Sequence, residues 1–486
     1  MKYLSVSRCM LIGTIGLAIL ISTVAPVMAQ SGMGNQTELY NSPQAQLLLE
    51  KASQQGSLRV ILTLNTDFQP EGSLEGTAAV NLQREDIAKI QRALLERVTG
   101  LTLDEPYRFE TIPLMVMTLN VEGLKTALES GLVIAVQEDL LDAPTLAEST
   151  PLIGAPAAWA SGFTGNGQTV AILDTGVDKT HPFLAGKVVS EGCYSTTDPN
   201  YGSTSVCPGG VSATTAVGSG VNCNLSIYGC EHGTHVAGIA AGKGTSFSGV
   251  AKEARIIAMQ VFSRFDSATY CKTSPVPCAL TWTSDQIKGL ERIYLLRGSF
   301  QISSVNMSLG GGGYTGFCDS DSRKPIIDQL RAVGIATVIA SGNNSYTNAL
   351  SAPACISSAV SVGSTGDGSN GATTDVVSSF SNSASFLKLL APGAVIYSSV
   401  PGGSYAYLQG TSMAAPHVAG AWAVVKSKNP RLNVDQVLNA LTSTGLMITD
   451  SRNGISKPRI RLAQALAAIP TPPVLNKKLF VPLIKK

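Results

Sequence analysis

Between Met413 and Val425 the chain reads MAAPHVAGAWAVV, with no Lys, Arg, Asp or Glu and no polar side chain beyond His417. A helix that is apolar nearly all round is stable only at the centre of a large core. Pro416 fits such a helix near its beginning, where a missing N–H deletes no intrahelical bond. Ser412 then stands at the N-terminus of a buried helix, where backbone N–H groups and the helix dipole favour negative charge. Two readings compete for it, an N-cap serine and a nucleophile.

A core of that size needs a long chain. The 486 residues are 44% hydrophobic and only 14% charged, enough for one large domain and a smaller one. A net charge of +2 without a basic block argues against nucleic acid as a partner.

The N-terminus reads as an export signal. Lys2 and Arg8 precede an apolar run from Met10 to Ile21, and small residues close the stretch at Ala29. Residues 1–29 are therefore expected to be a cleaved signal peptide, because the apolar run is short for a membrane span. No stable span is expected after its removal. Cys9 leaves with it, and Cys193, Cys207, Cys223, Cys230, Cys271, Cys278, Cys318 and Cys355 remain. An even count in an exported chain reads as disulfides. Zinc is the weaker alternative, since no C-x-x-C pair or nearby histidine set is present. The expected pairs are Cys193–Cys207, Cys223–Cys230, Cys271–Cys278 and Cys318–Cys355.

Residues 30–57 are polar without a strong pattern and read as a linker. From 58 the pattern changes to β-α-β-β-α-β: strands at 58–65, 107–120 (two) and 132–139, helices at 84–100 and 121–131. This order predicts a small ferredoxin-like α+β domain. APTLAESTP, 143–151, reads as an exposed linker. Beyond it, apolar strands ending near 174, 262, 310, 343 and 364 alternate with helices, predicting an α/β domain with a parallel sheet covered on both faces. Functional groups in such sheets gather at the carboxyl ends of the strands. The tail 470–486 is a Pro-rich basic segment, expected to dock at a surface or to address the cell envelope.

Asp174 ends one of these strands, His232 opens HGTHVAGIAAG, and Ser412 opens the buried helix. Each alone has a dull explanation. Together they supply what acyl transfer requires: a hydroxyl, an imidazole to take its proton, and a carboxylate to hold the imidazole's tautomer. Asn343 follows a strand on a Gly342 turn and, taken alone, reads as an ordinary turn residue. The glycine run at 310–313 lacks the Lys-Ser/Thr of a phosphate loop. His181, His235 and His417 read as packed structural residues, and no H-E-x-x-H metal motif is present.

The segments ILDTGVD, HGTHVAG, VNMSLGG, ASGNN and GTSMAAPHVAG, in that order, resemble the signatures of the subtilase family of serine proteases. The resemblance covers roughly 150–469 and implies a subtilisin-like catalytic domain at 148–469. It implies Asp174, His232 and Ser412 as the catalytic triad and Asn343 as the oxyanion-hole side chain. Ser308, Leu309 and Gly310 become an edge that pairs with an extended substrate. The small domain, 58–147, resembles the family's propeptide, which acts as intramolecular chaperone and inhibitor. The chain is thus expected to be a secreted serine endopeptidase acting on proteins or peptides, made as a self-processing precursor. A catalytically silent binding protein on the same fold is the alternative, and an esterase is disfavoured because G-x-S-x-G is missing around Ser412.

The chemistry needs no cofactor. Phe183 stands where family members often carry a calcium-supporting aspartate, so their strong calcium site is not expected here, and weaker sites stay open.

Overall fold

The computed structural model describes residues 39–139, 141–144, 149–369 and 371–470. The expected signal peptide 1–29 and the tail from 471 onward lie outside them.

The larger unit is built on a ten-stranded sheet. Its eight central strands run parallel, in the spatial order 456–459, 389–392, 360–365, 336–340, 302–307, 169–174, 255–260 and 188–194. Antiparallel strands, Leu446–Thr449 and Ala213–Thr214, close its two edges. Alternate residues of each strand go to opposite faces, so both faces need cover. One face takes Val170, Ile172, Ala258 and Val338 under the helices His232–Ala241 and Thr411–Lys428. The other takes Leu173, Met259, Val305 and Ile339 under the helices Thr283–Leu295 and Lys324–Ala332.

The helix Thr411–Lys428 is the centre of the first face. All of its residues from Thr411 to Lys426 are buried, as its composition demands. Gly420 lets it lie directly on the His232–Ala241 helix: a Cβ there would come within 2.6 Å of Ala240 O.

The smaller unit is an antiparallel sheet in the order Tyr107–Arg108, Leu114–Leu119, Leu58–Leu64, Val133–Glu138, backed by the helices Gly76–Arg97 and Val121–Glu129. Its other sheet face is not exposed. Ile61, Phe109, Ile112, Leu114 and Val116 join the second core of the larger unit, beside Ile287, Leu290 and Ile327.

Two sequence expectations need correction. Residues 30–57 are not a linker throughout: Pro43–Gln55 is a helix that packs Ala45, Leu48 and Ala52 into the small unit's core. Its signals are a Ser42 side-chain cap, Pro43 in the first turn and Gly56 in the left-handed conformation after the end. Only three of its positions are buried, a stripe too narrow to stand out among Gln and Lys. Likewise 143–151 does not begin as an exposed linker. Leu141–Pro144 is a strand, seated between the chain at 281–282 on one side and 309–310 on the other. Residues 145–148 lie outside the described set.

Candidate active site

Asp174, His232 and Ser412 come from three elements that meet at the carboxyl end of the parallel sheet. Asp174 is the last residue of its central strand, and His232 is the first residue of its helix. His232 Nδ1 lies 2.6 Å from Asp174 Oδ1, with both side chains at most 1% exposed. Asp174 Oδ1 also accepts the Thr175 N–H at 2.8 Å, which fixes the carboxylate plane. With Nδ1 committed to a carboxylate, the proton of a neutral His232 sits there, and Nε2 presents a lone pair.

Ser412 is not a cap. The N-cap position is Gly410, without any side-chain hydrogen bond, and Ser412 is the second helical residue, fully buried. Its Oγ donates to Ser308 O at 3.1 Å. The return contact explains Pro416. A proline leaves the carbonyl four residues back without its helical partner, here Ser412 O, and the Ser308 hydroxyl donates to that oxygen. Asn306 Nδ2 holds Ser308 Oγ at 2.9 Å. Ser308 therefore braces the Ser412 turn, while Leu309 and Gly310 form the pairing edge.

Asn343 faces the same helix start. Its Oδ1 accepts from Thr411 N at 2.8 Å and from Thr411 Oγ1 at 3.0 Å. An amide whose oxygen is so engaged has only its NH₂ left to offer. Gly342, at φ +103°, makes this turn: a Cβ there would strike Ser351 Oγ and Asn382 Nδ2 at 2.3 Å. Thr411 and Thr175 were not singled out from sequence. The only signal for either is its place beside Ser412 or Asp174.

The strand Leu141–Pro144 lies antiparallel to the edge, with Pro144 opposite Leu309 and Ala143 opposite Gly310. On its other side Leu141 faces Trp282 and Asp142 faces Thr281. A peptide in this slot is thus held by main-chain ladders on both sides. Ser149, where the described chain resumes, gives its N–H to His417 Nε2 at 2.7 Å.

The other histidines are anchored to backbone. His417 Nδ1 contacts Met413 O at 2.7 Å, and burial pushes this imidazole down to about 4. His235 is pushed down to about 3, again by burial, with Nε2 at 3.1 Å from Ala406 O. His181 lies between Ser404 O and Phe183 N. Both His235 and His417 stay neutral through the working range of an imidazole base.

The family model for the subtilase family matches residues 165–459. The chain belongs to the subtilase family. It is 33% identical to an alkaline protease of Alkalihalobacillus alcalophilus over 358 residues, covering 72% of this chain and 79% of that one. It is 34% identical to subtilisin DY of Bacillus licheniformis over 314 residues, 64% of this chain and 94% of the relative. Subtilisin E of Bacillus subtilis is 31% identical over 353 residues, with 71% and 78% covered. This subtilase is accordingly a serine endopeptidase.

Phe183 of this subtilase fills its turn with a ring, not a ligand. It is 2% exposed, with centroids 4.8 Å from Phe247 and 5.6 Å from Tyr405. Among the described residues no three His, Cys, Asp or Glu side chains cluster to hold a metal ion. No described helix is long and apolar enough to cross a membrane. The eight cysteines form four bonds, Cys193–Cys207, Cys223–Cys230, Cys271–Cys278 and Cys318–Cys355, with Cα separations of 5.2–5.8 Å.

Proposed function

We propose that this subtilase is an exported endopeptidase that cuts peptide bonds through an acyl-enzyme on Ser412 and releases itself from its own N-terminal unit. The observation that carries the reading is the buried 2.6 Å contact of His232 Nδ1 with Asp174, beside the helix whose second residue is Ser412. His232 takes the Ser412 proton as the hydroxyl attacks the scissile carbonyl, then returns it to the leaving amine. Asp174 holds the productive tautomer and offsets the imidazolium charge. The developing oxyanion is met by the Ser412 N–H and by the Asn343 NH₂.

Self-cleavage follows from the path of the chain. Pro144 pairs with Leu309 on the edge, whereas Ser149 is held at His417. The bond to be cut then lies between Pro144 and Ser149, and the mature chain starts near Ser149. The small unit, whose sheet shares a core with the larger one, acts as template and inhibitor until it leaves. A sheet of non-local parallel contacts folds slowly, which gives a template something to accelerate. Chemistry needs no metal in this account.

A fluorophosphonate probe tests the enzyme reading: it should label mature protein at Ser412 and nowhere in Ser412→Ala. Labelling at another serine would refute the assignment.

A further inference from the structure

Asp174 and His232 reach each other from separate elements, and a third segment fastens the two together. The chain from Gly220 to Cys230 crosses the Asp174 turn and then enters the His232 helix. At its start, Val177 N donates to Gly220 O at 2.8 Å and Cys223 N to Thr175 O at 3.1 Å. The approach is so close that a Cβ on Gly176, at φ +91°, would stand 2.1 Å from Val221 O. At its end, His232 N donates to Gly229 O at 3.2 Å. The bond Cys223–Cys230 joins these two ends, two residues ahead of His232.

Thr175 is where the ties cross. It is fully buried, its N–H goes to Asp174 Oδ1, and its carbonyl takes the Cys223 N–H. Its Oγ1 accepts from Gly233 N at 2.9 Å and points its own proton to Cys230 O at 3.5 Å. Gly233 seals the contact, since a Cβ there would meet Gly176 O at 2.3 Å. The disulfide therefore closes a ring through Cys223, Thr175, Gly233 and Cys230, with Asp174 and His232 attached to opposite sides.

We propose that the Cys223–Cys230 disulfide is a positioning element for the Asp174–His232 pair, beyond any general role in stability. The inference rests on the triad assigned above. Neither cysteine touches substrate; both act through the distance and angle of the carboxylate–imidazole contact. Small errors in such geometry are expensive in rate. Removing the bond frees the Gly220–Cys230 segment at one end, so the His232 helix start can drift from the Asp174 turn.

The test compares mature proteins from the full chain: wild type, Cys223→Ala/Cys230→Ala, and Cys193→Ala/Cys207→Ala, whose bond ties an outer strand of the sheet. Hydrolysis of a chromogenic peptide anilide is followed against pH, with melting temperature measured alongside. The Cys223/Cys230 variant should keep KM within about twofold and lose about tenfold in kcat. The acid limb of its pH–rate profile should move to lower pH, because the imidazolium loses part of its counter-charge. His235 does not blur this readout, being neutral there already. The Cys193/Cys207 variant should lose melting temperature alone. Should the Cys223/Cys230 variant fail to mature, Thr175→Val decides, with the same kcat loss and acid-limb shift expected. Unchanged kcat and acid limb in the deciding variant, with a lowered melting temperature, would reduce the bond to a staple and overturn the proposal. Undiminished activity in Ser412→Ala or Asp174→Ala would instead overturn the triad itself.

Discussion

Thr111 gives both its backbone N–H and its hydroxyl to one carboxylate oxygen of Glu291, at 3.0 and 2.9 Å. The Glu110 N–H reaches the same oxygen at 3.0 Å. These bonds join the two units, because Thr111 belongs to the small unit and Glu291 to a helix of the large one. Burial pushes the Glu291 carboxyl up to about 7, opposed by the Thr111 hydrogen bonds and reinforced by the nearby Glu110 charge. The Glu291 charge also acts on Tyr107 and Tyr194, and Lys288 sits over the Tyr107 ring at 4.6 Å.

The sign of the resulting pH dependence follows. On the proposed release of the small unit, Glu291 would return to water and to an ordinary value of about 4.3. A carboxyl raised in the docked state favours docking fully below that ordinary value. The contribution is lost as pH rises through about 7. Release of the cleaved N-terminal unit should thus be faster at pH 8 than at pH 5. Glu291→Gln, which cannot ionise, should flatten that difference. Time courses of activity after processing, run at several pH values, measure it.

Asn343 and Thr411 yield a second expectation. Asn343→Ala removes the donor NH₂ and should lower kcat by about 10²–10³-fold with little change in KM, a magnitude that comes from subtilisin itself. Thr411→Val keeps the donor but frees its oxygen anchor, so a smaller loss in kcat is expected. Steady-state kinetics on one peptide substrate separate the two. Equal losses would mean that Thr411 does more than hold the amide.

Three buried lysines favour the folded state at alkaline pH. Lys187 donates to Lys252 O and Ala254 O, Lys388 to Ser357 O and Ala359 O, and Lys426 to Gly334 O. Burial among carbonyls pushes all three down to about 8. Because the folded state gives up these protons more readily than the unfolded chain, stability from these groups rises between about pH 8 and the ordinary lysine value near 10.4. Melting temperature of Ser412→Ala, which cannot digest itself, should therefore hold or rise over that window after correction for other groups. Lys388→Met, which strands two carbonyls, should cost about 1–3 kcal/mol at pH 7.

What could be read from the chain, and what could not, follows from the range of the forces involved. The helix of Met413–Val425 was legible because its composition leaves it one environment. Strand Thr169–Asp174 was legible because a buried parallel strand is a continuous apolar run. The helix Pro43–Gln55 escaped because only Ala45, Leu48 and Ala52 are buried, and two alanines carry little signal. The helix beginning at Gly76 shows its pattern only from about residue 84, since its first turns keep most of their surface in water. Leu141–Pro144 could not be seen at all. Its ladder partners are Trp282 and Leu309, far off in sequence, and no local propensity marks a strand that forms only between two others. At the site, Asp174, His232 and Ser412 each had a local marker, whereas the clamps at Thr411 and Thr175 are visible only in three dimensions.

If Ser412 is the nucleophile that frees the mature chain, processing cannot proceed without its hydroxyl. Ser412→Ala removes the hydroxyl and its bond to Ser308 O, yet keeps the helix, since alanine is its best former. Mass spectrometry of purified wild type and Ser412→Ala is the direct test, with Asp174→Asn beside them. Wild type should yield a chain beginning near Ser149. Asp174→Asn should process about 10⁴-fold more slowly, because an amide favours the wrong His232 tautomer. Ser412→Ala should accumulate as a folded precursor, uncut between Pro144 and Ser149. A Ser412→Ala protein that, free of other proteases, still matured at that segment would contradict the account.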